Sequence, residues 1–340
     1  MIKNYTHVQS AHCENGVTAG LLKHYGYDKI NEPLAFGIGS GLFFILIPFM
    51  KFNKGPAISF RTLPGNIFKQ NCKLLGIKVV KKKFKEPAAA QEFLDKKISE
   101  GMPVGCQVGV FHLPYFPPEY RFHFNAHNIV VFGKEDSSYH VSDPVMETPT
   151  ILTEAELEKV RFAKGLLAPR GHVYYPENIP DISDEVLRKA IKRGIRRNTR
   201  DMLRIPGGIA GVKGIAFTSR KIRKLREKLG QKGAGLYLAQ IVRMQEEIGT
   251  GGGGFRFLYA AFLEQAADIL NAKELKPVSD EFTKSGDIWR AAAMQMAGIY
   301  KGRIGEQKDF DELADMLMDS SRIEKQAFKM LAKMKFDSRI

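Results

Sequence analysis

Strand-forming sequence in this chain stops at one place. Up to Pro176, runs rich in β-branched and aromatic residues alternate with turn signals: Ile77–Phe84 (IKVVKKKF), Pro103–Phe111 (PVGCQVGVF), His127–Gly133 (HNIVVFG), Tyr139–Asp143 (YHVSD) and Gly171–Pro176 (GHVYYP). Two helices are read among them. Glu86–Gly101 has Pro87 near its start and Gly101 past its end, and Thr153–Val160 opens on a Thr153 cap with Glu156 three residues on. After Pro176–Ser183 only helical patterns follow, over Asp184–Leu203, Ser219–Leu229, Leu236–Ile248, Phe255–Leu270, Leu275–Tyr300 and Asp309–Phe336. This order predicts an α+β domain over residues 1–178 and an all-helical domain over 179–340, with the boundary near Pro176–Asp181.

Composition narrows the class. The 340 residues are 44% apolar, enough to form a core. Three cysteines, Cys13, Cys72 and Cys106, are too few and too scattered for a disulfide framework or a zinc ribbon. The apolar run Leu42–Met50 (LFFILIPFM) is broken by Pro48 and falls short of the ~20 residues a spanning helix needs. With no apolar signal core in MIKNYTHVQS, the expectation is a soluble protein of a reducing, cytoplasmic compartment. Charge is concentrated: Val186–Lys232 holds sixteen Lys and Arg against Asp201 and Glu227, nearly all of the net +15. No recognition motif accompanies it, so no specific nucleic-acid partner is expected. An acidic carrier protein, peripheral contact with a membrane surface and plain solvated helix faces all fit the segment.

The chemistry-bearing stretch is SAHCENGVTAGLLKHYG. Leu21, Leu22 and Tyr25 keep helical spacing and Gly26 ends the pattern, so Cys13 sits at a helix start. There the unpaired amides and the dipole favour a thiolate. A thiolate nucleophile needs a base, and the base needs an orienting partner. AHNIVVFGKEDSSYHVSDP supplies candidates for both. A hairpin turning about Glu135 would set His127 directly opposite Asp143, ~5 Å apart on one face; a one-residue slip would separate them. Cys, His and Asp in that order, on a helix start and two strands, form the arrangement of papain-like thiol enzymes. The Cys13 amide and a side chain just upstream, Gln9 or His7, are the oxyanion candidates. His7, His12, Cys13, His123 and His127 lack a recognised metal-ligand spacing, so no metal is expected, and no cofactor.

Two glycine motifs remain. GIGSG (Gly37–Gly41) lacks the dinucleotide spacing and reads as a tight turn. GTGGGGFRFLYAAF puts Gly251 and Gly252 before a helix that carries Arg256 and Tyr259 one turn apart. It reads either as an anion-binding loop or as a close helix–helix turn.

Taken together, SAHCENGVTAGLLKHYG, EPLAFGIGSGLFF, GMPVGCQVGVFHLPYFPPEY, AHNIVVFG and VSDP resemble the N-terminal domain of the butirosin-biosynthesis acyltransferase family. GTGGGGFRFLYAAFLEQAADIL and SGDIW resemble the domain of unknown function that follows it. The resemblance runs from about Tyr5 to about Tyr300 and leaves out the lysine-rich tail after Gly302. It implies a papain-like fold and transfer of an acyl group from an acyl-carrier-protein thioester to an amine. Carried over, Cys13 is the nucleophile, His127 the base and Asp143 the orienting carboxylate. One departure is the segment VGVFHLPY, which has no carboxylate before LPY. Two other readings stay open: a cysteine peptidase or amidohydrolase using the same three residues, and a non-catalytic basic protein that docks on membranes or acidic partners. The oligomeric state is not legible.

Overall fold

A computed structural model of the chain describes residues 2, 4–52 and 55–334. They form two compact units. The first runs to Ala35 and resumes over Pro64–Leu187; the second takes Phe36–Leu63 and the chain from Arg188 onward. Phe36–Leu63 thus packs with the second unit, although it precedes the boundary read from the sequence.

In the first unit, helices α1 (Cys13–His24) and α2 (Glu32–Ile38), whose last turn enters the second unit, precede a helix–sheet assembly. Two further strands, β1 (Leu42–Phe52) and β2 (Gly55–Arg61), belong to the second unit. The first unit resumes with α3 (Asn66–Leu75), β3 (Lys78–Lys82), α4 (Pro87–Ser99), β4 (Val104–Val108), β5 (His127–Glu135), β6 (Ser138–Ser142), β7 (Thr150–Thr153), α5 (Glu154–Arg161) and β8 (Val173–Asn178). Its sheet is antiparallel throughout, in the order β3-β8-β4-β5-β6-β7. One face buries Val104, Cys106, Val108, Ile129, Val131, Tyr139 and Val141 against Ala90, Leu94 and Ile98 of α4 and Leu157 and Val160 of α5. Strand side chains alternate between faces, so Asn128 and Tyr174 point to the other side, where Phe68 of α3 packs on Tyr174 with ring centroids 4.7 Å apart. Gly105 makes this possible: a Cβ there would lie 2.6 Å from the Tyr174 ring. The α5 start carries the capping box read from Thr153 and Glu156.

The register of β5 and β6 differs from expectation. Val131 pairs with Val141 and Glu135 with Ser138, with a shift between Val131 and Gly133. The turn is Asp136–Ser137, with Asp136 left-handed at φ 50°, rather than a turn about Glu135. His127 pairs with Val108 of β4, and Asp143 lies just beyond β6. The two are therefore not directly opposed partners of a hairpin.

The second unit holds the β1–β2 hairpin and the helices α6 (Asp184–Arg204), α7 (Gly211–Arg223), α8 (Leu225–Val242), α9 (Arg256–Leu270), α10 (Lys276–Tyr300) and α11 (Gln307–Lys333); the first turn of α6 falls in the first unit. Phe44 and Phe60 from the two strands pack on Trp289 of α10, with centroids 5.8 and 5.2 Å away. The GIGSG segment ends α2 and makes the tight turn into β1: Gly41 N–H donates to Phe36 O at 2.8 Å, with Ser40 at φ 52°. The helix expected to start at Ser219 begins earlier, since α7 already starts at Gly211. The expected reach of the last helix to Phe336 ends outside the described residues. No described helix is long and apolar enough to cross a membrane.

Candidate active site

Cys13 is the first residue of α1, with His12 as the cap: its ring nitrogen accepts the Asn15 N–H at 3.4 Å. The approach to Cys13 is fixed by a carboxylate the sequence reading did not single out. Glu32 accepts the amides of Ala11 at 2.9 Å and His12 at 2.7 Å, one on each oxygen. Burial raises its pKa, and these hydrogen bonds pull back the other way. Ser10 N–H donates to Pro144 O at 2.7 Å, tying the loop before Cys13 to the loop after Asp143. Gly16 completes the contact, since a Cβ there would fall 2.4 Å from Pro144 Cβ. Glu14, the other neighbour of Cys13, serves α3: its Oε1 accepts the amides of Ile67 and Phe68, where a helix start favours negative charge.

Despite the changed register, His127 and Asp143 meet, with Nε2 to Oδ2 at 2.7 Å. Both are buried, and the Asp143 side chain is 0% exposed. Its Oδ2 also accepts the Tyr115 hydroxyl at 2.9 Å, and its Oδ1 accepts Val145 N–H at 3.2 Å. Tyr115 is the tyrosine of LPY, so a hydroxyl supplies a polar contact where the sequence lacks a carboxylate before that motif. Burial beside a carboxylate pushes the Tyr115 pKa well up. Phe116, next in the chain, sets its ring edge-on to His127 at 5.5 Å.

An ionised carboxylate only accepts, so Nε2 carries the proton and Nδ1 is left to act as base. The Cys13 sulfur is near enough to the imidazole to favour its protonated form. Burial lowers the His127 pKa, but Asp143 and the Cys13 sulfur outweigh it and raise it to about 10. At neutral pH the imidazolium is therefore the favoured form. Cys13 itself is 7% exposed. Asn128 is a further neighbour that the sequence reading missed. Its Nδ2 donates to Cys13 Sγ at 3.8 Å and to Ala126 O at 3.1 Å, while its Oδ1 accepts the Tyr174 hydroxyl at 2.8 Å. The Ala126 carbonyl, which can only accept, fixes which way the amide faces. The Cys13 amide lies in the first helical turn, where no intrahelical acceptor exists.

The remaining candidates have the following settings. Gln9 is exposed on the loop. His7 is held by Ser142 Oγ at 2.7 Å and Met146 O at 3.1 Å. His123 stacks on Phe111. Among the described residues no three His, Cys, Asp or Glu converge as metal ligands do. In the second unit Arg256 is fully buried in a two-bond pair with Glu324, at 2.9 and 3.1 Å, and donates to Gly254 O. Glu324 also accepts Ser285 and Trp289. Tyr259 is fully buried among Phe262, Phe282 and Phe328. The guanidinium and the phenol read as possible ligand groups therefore point into the core. Gly251 and Gly252 are left-handed turn residues, and Gly252 lies against Arg290 and Glu246.

Residues 155–331, more than half of the chain, match the family described as a domain of unknown function, DUF4872. The chain belongs to this family. Residues 12–144 match the N-terminal domain of butirosin biosynthesis protein H, so that domain precedes the DUF4872 part, in the order the motifs indicated. The DUF4872 match runs past Gly302 to residue 331, so α11, which carries Glu324, belongs to the family region, contrary to the expectation for the tail. Among solved structures, a C39-like peptidase from Bacillus anthracis is similar with a TM-score of 0.36 and 15% identity, over 53% of this chain and 96% of that one. No curated protein matches the chain. The first unit is α+β with an antiparallel sheet, and a helix-borne cysteine beside a strand-borne histidine is the papain-like arrangement. The domain match and this arrangement together suggest a cysteine enzyme.

Proposed function

We propose that the chain is an acyltransferase that forms an amide through a thioester on Cys13. The observation that carries this reading is the buried cluster of Cys13, His127 and Asp143 inside a butirosin biosynthesis protein H N-terminal domain. The Cys13 thiolate attacks the carbonyl of a thioester donor, the new C–S bond forms and the donor C–S bond breaks. The imidazolium of His127 gives its proton to the departing sulfur. An amine then attacks the acyl-enzyme, His127 Nδ1 takes the amine proton, and the C–S bond to Cys13 breaks as the amide forms. Asp143 keeps Nε2–H in place, and Tyr115 and Val145 hold Asp143. Asn128 steadies the anionic sulfur. No step calls for a cofactor.

The donor fits an acyl carrier protein, because that partner is acidic and Val186–Lys232 is strongly basic. The acceptor is a small-molecule amine. The test is product partition: incubation with an acyl thioester, with and without a polyamine acceptor, followed by quantification of amide and free acid. Amide exceeding free acid, with both lost in Cys13→Ala, supports the transferase. Free acid alone at saturating amine makes water the acceptor and the protein a hydrolase. Product formation that survives Cys13→Ala sinks the covalent mechanism.

A further inference from the structure

A narrow, partly open cleft in the first unit lies near the candidate nucleophile and has no part in its proton chemistry. Asn128 lines it and donates to Cys13 Sγ, so one side chain separates the cleft from the reacting sulfur. Phe68 and Tyr174 form its aromatic wall. Lys81 of β3 lies along that wall, with Nζ 5.9 Å from the Phe68 ring centroid. Lys81 keeps a solvent-exposed flank, yet partial burial pushes its pKa below the usual lysine value, and Lys69 adds to the fall.

Of the polar groups that line it, the Gln107 amide and the His172 imidazole are neutral, and Glu14 is the carboxylate. Gln107 gives both amide hydrogens away, to Asn125 O at 2.7 Å and Leu167 O at 3.0 Å. Its Oε1, 3.0 Å from His172 Nδ1, must then accept, so His172 carries its proton on Nδ1. Burial, with Lys83 and Lys81 nearby, holds the His172 pKa down to about 4. The ring is thus uncharged at neutral pH and its Nε2 is an acceptor. The charge of Glu14 also reaches Lys81, but that carboxylate is engaged at the start of α3. Lys81 is thus the ammonium group that lines the cleft, with the charges of Lys69 and Lys83 felt nearby, and the carboxylate that lines it is already hydrogen-bonded. An apolar chain against the wall leaves Lys81 partly desolvated without a counter-charge, and an amine-terminated chain meets repulsion. A carboxylate satisfies the site.

We infer that this cleft receives the acyl chain of the substrate and selects short chains that end in a carboxylate, which pairs with Lys81. The inference rests on the reading of Cys13 as the acylated residue. The experiment compares Cys13 acylation by N-acetylcysteamine thioesters of succinic, glutaric and adipic acids with their butyryl, pentanoyl and hexanoyl counterparts, followed by intact mass and corrected for spontaneous reaction. In wild type, the best dicarboxylic chain should react about tenfold faster than its neutral counterpart, a difference of about 1.4 kcal/mol. In Lys81→Met the ratio should fall to near one, and in Lys81→Glu below one. No preference at any length in wild type, or a preference that survives Lys81→Met, overturns the assignment. If no thioester acylates Cys13, the acyl-enzyme reading fails separately, and binding of free glutarate to Cys13→Ala decides the cleft. Tighter binding than to Cys13→Ala/Lys81→Met upholds the carboxylate site, and equal binding removes it.

Discussion

Gly16 sits at the seam between the helix of the nucleophile and the loop of the orienting carboxylate, and replacing it with alanine perturbs both in a calculable way. The new Cβ would lie 2.4 Å from Pro144 Cβ and 2.8 Å from Ser10 Cβ and Oγ, where ordinary contact begins near 3.4 Å. Neither neighbour is the far end of a flexible side chain, so α1 must retreat from the Asp143 loop by about 1 Å. In an unobstructed helix Gly→Ala stabilises by about 0.5–1 kcal/mol. Overpacking costs roughly 1–3 kcal/mol, which leaves a net loss of about 0–2.5 kcal/mol. The effect on rate is larger, because about 1 Å of misplacement in a reacting site costs on the order of 100-fold. Urea denaturation measures the first effect and single-turnover acylation of Cys13 the second. Gly20→Ala on the same helix is the control: its Cβ meets only the Tyr5 hydroxyl, at 3.0 Å, and the Tyr5 ring behind it, at 3.8 Å, so stability and rate should stay close to wild type. A Gly16→Ala protein as stable and as fast as Gly20→Ala would refute the claim that this seam positions Cys13.

Other consequences follow from the same geometry. His127 has its folded pKa raised to about 10 against an ordinary value of ~6.5, so the stability it confers is complete below pH ~6.5 and fades as pH rises through about 10. The difference in unfolding free energy between wild type and His127→Gln should shrink between about pH 7 and about pH 11; a constant difference would contradict the pairing. Tyr115→Phe removes one donor from Asp143 and should cost roughly 1.5–3 kcal/mol in urea denaturation, with slower acylation at unchanged substrate affinity. Arg256→Met leaves Glu324 buried without its cation and should cost about 3–5 kcal/mol, while the added change Glu324→Leu should recover much of the loss. A double variant no better than Arg256→Met would mean the pair is not the source of the loss.

The candidate site was legible where its signals are local. Cys13 at a helix start and the strands carrying His127 and flanking Asp143 follow from short-range pattern. The shift near Phe132 and the left-handed Asp136 altered the register, yet Asp143, lying past the strand end, reaches His127 through its side chain. Glu32, Tyr115, Asn128 and Tyr174 escaped because each acts through a partner far away in sequence, which no local spacing records. The β1–β2 hairpin was hidden for a similar reason. Pro48 in LFFILIPFM argues against a regular strand, but it falls in the register shift between Ile47 and Lys51, where the ladder needs no donor. Arg256 after a glycine-rich loop looks the same in sequence whether the guanidinium faces a ligand or a buried carboxylate, and only the remote Glu324 decides between them.

The central claim is that Cys13 carries the acyl group. Peptide mapping of protein quenched during turnover of an acyl thioester tests it most directly. The acyl mass is expected on the peptide containing Cys13, absent from those of Cys72 and Cys106, and lost on addition of the amine acceptor as amide appears. Turnover with no adduct on Cys13, or an adduct that the amine does not discharge, would contradict it.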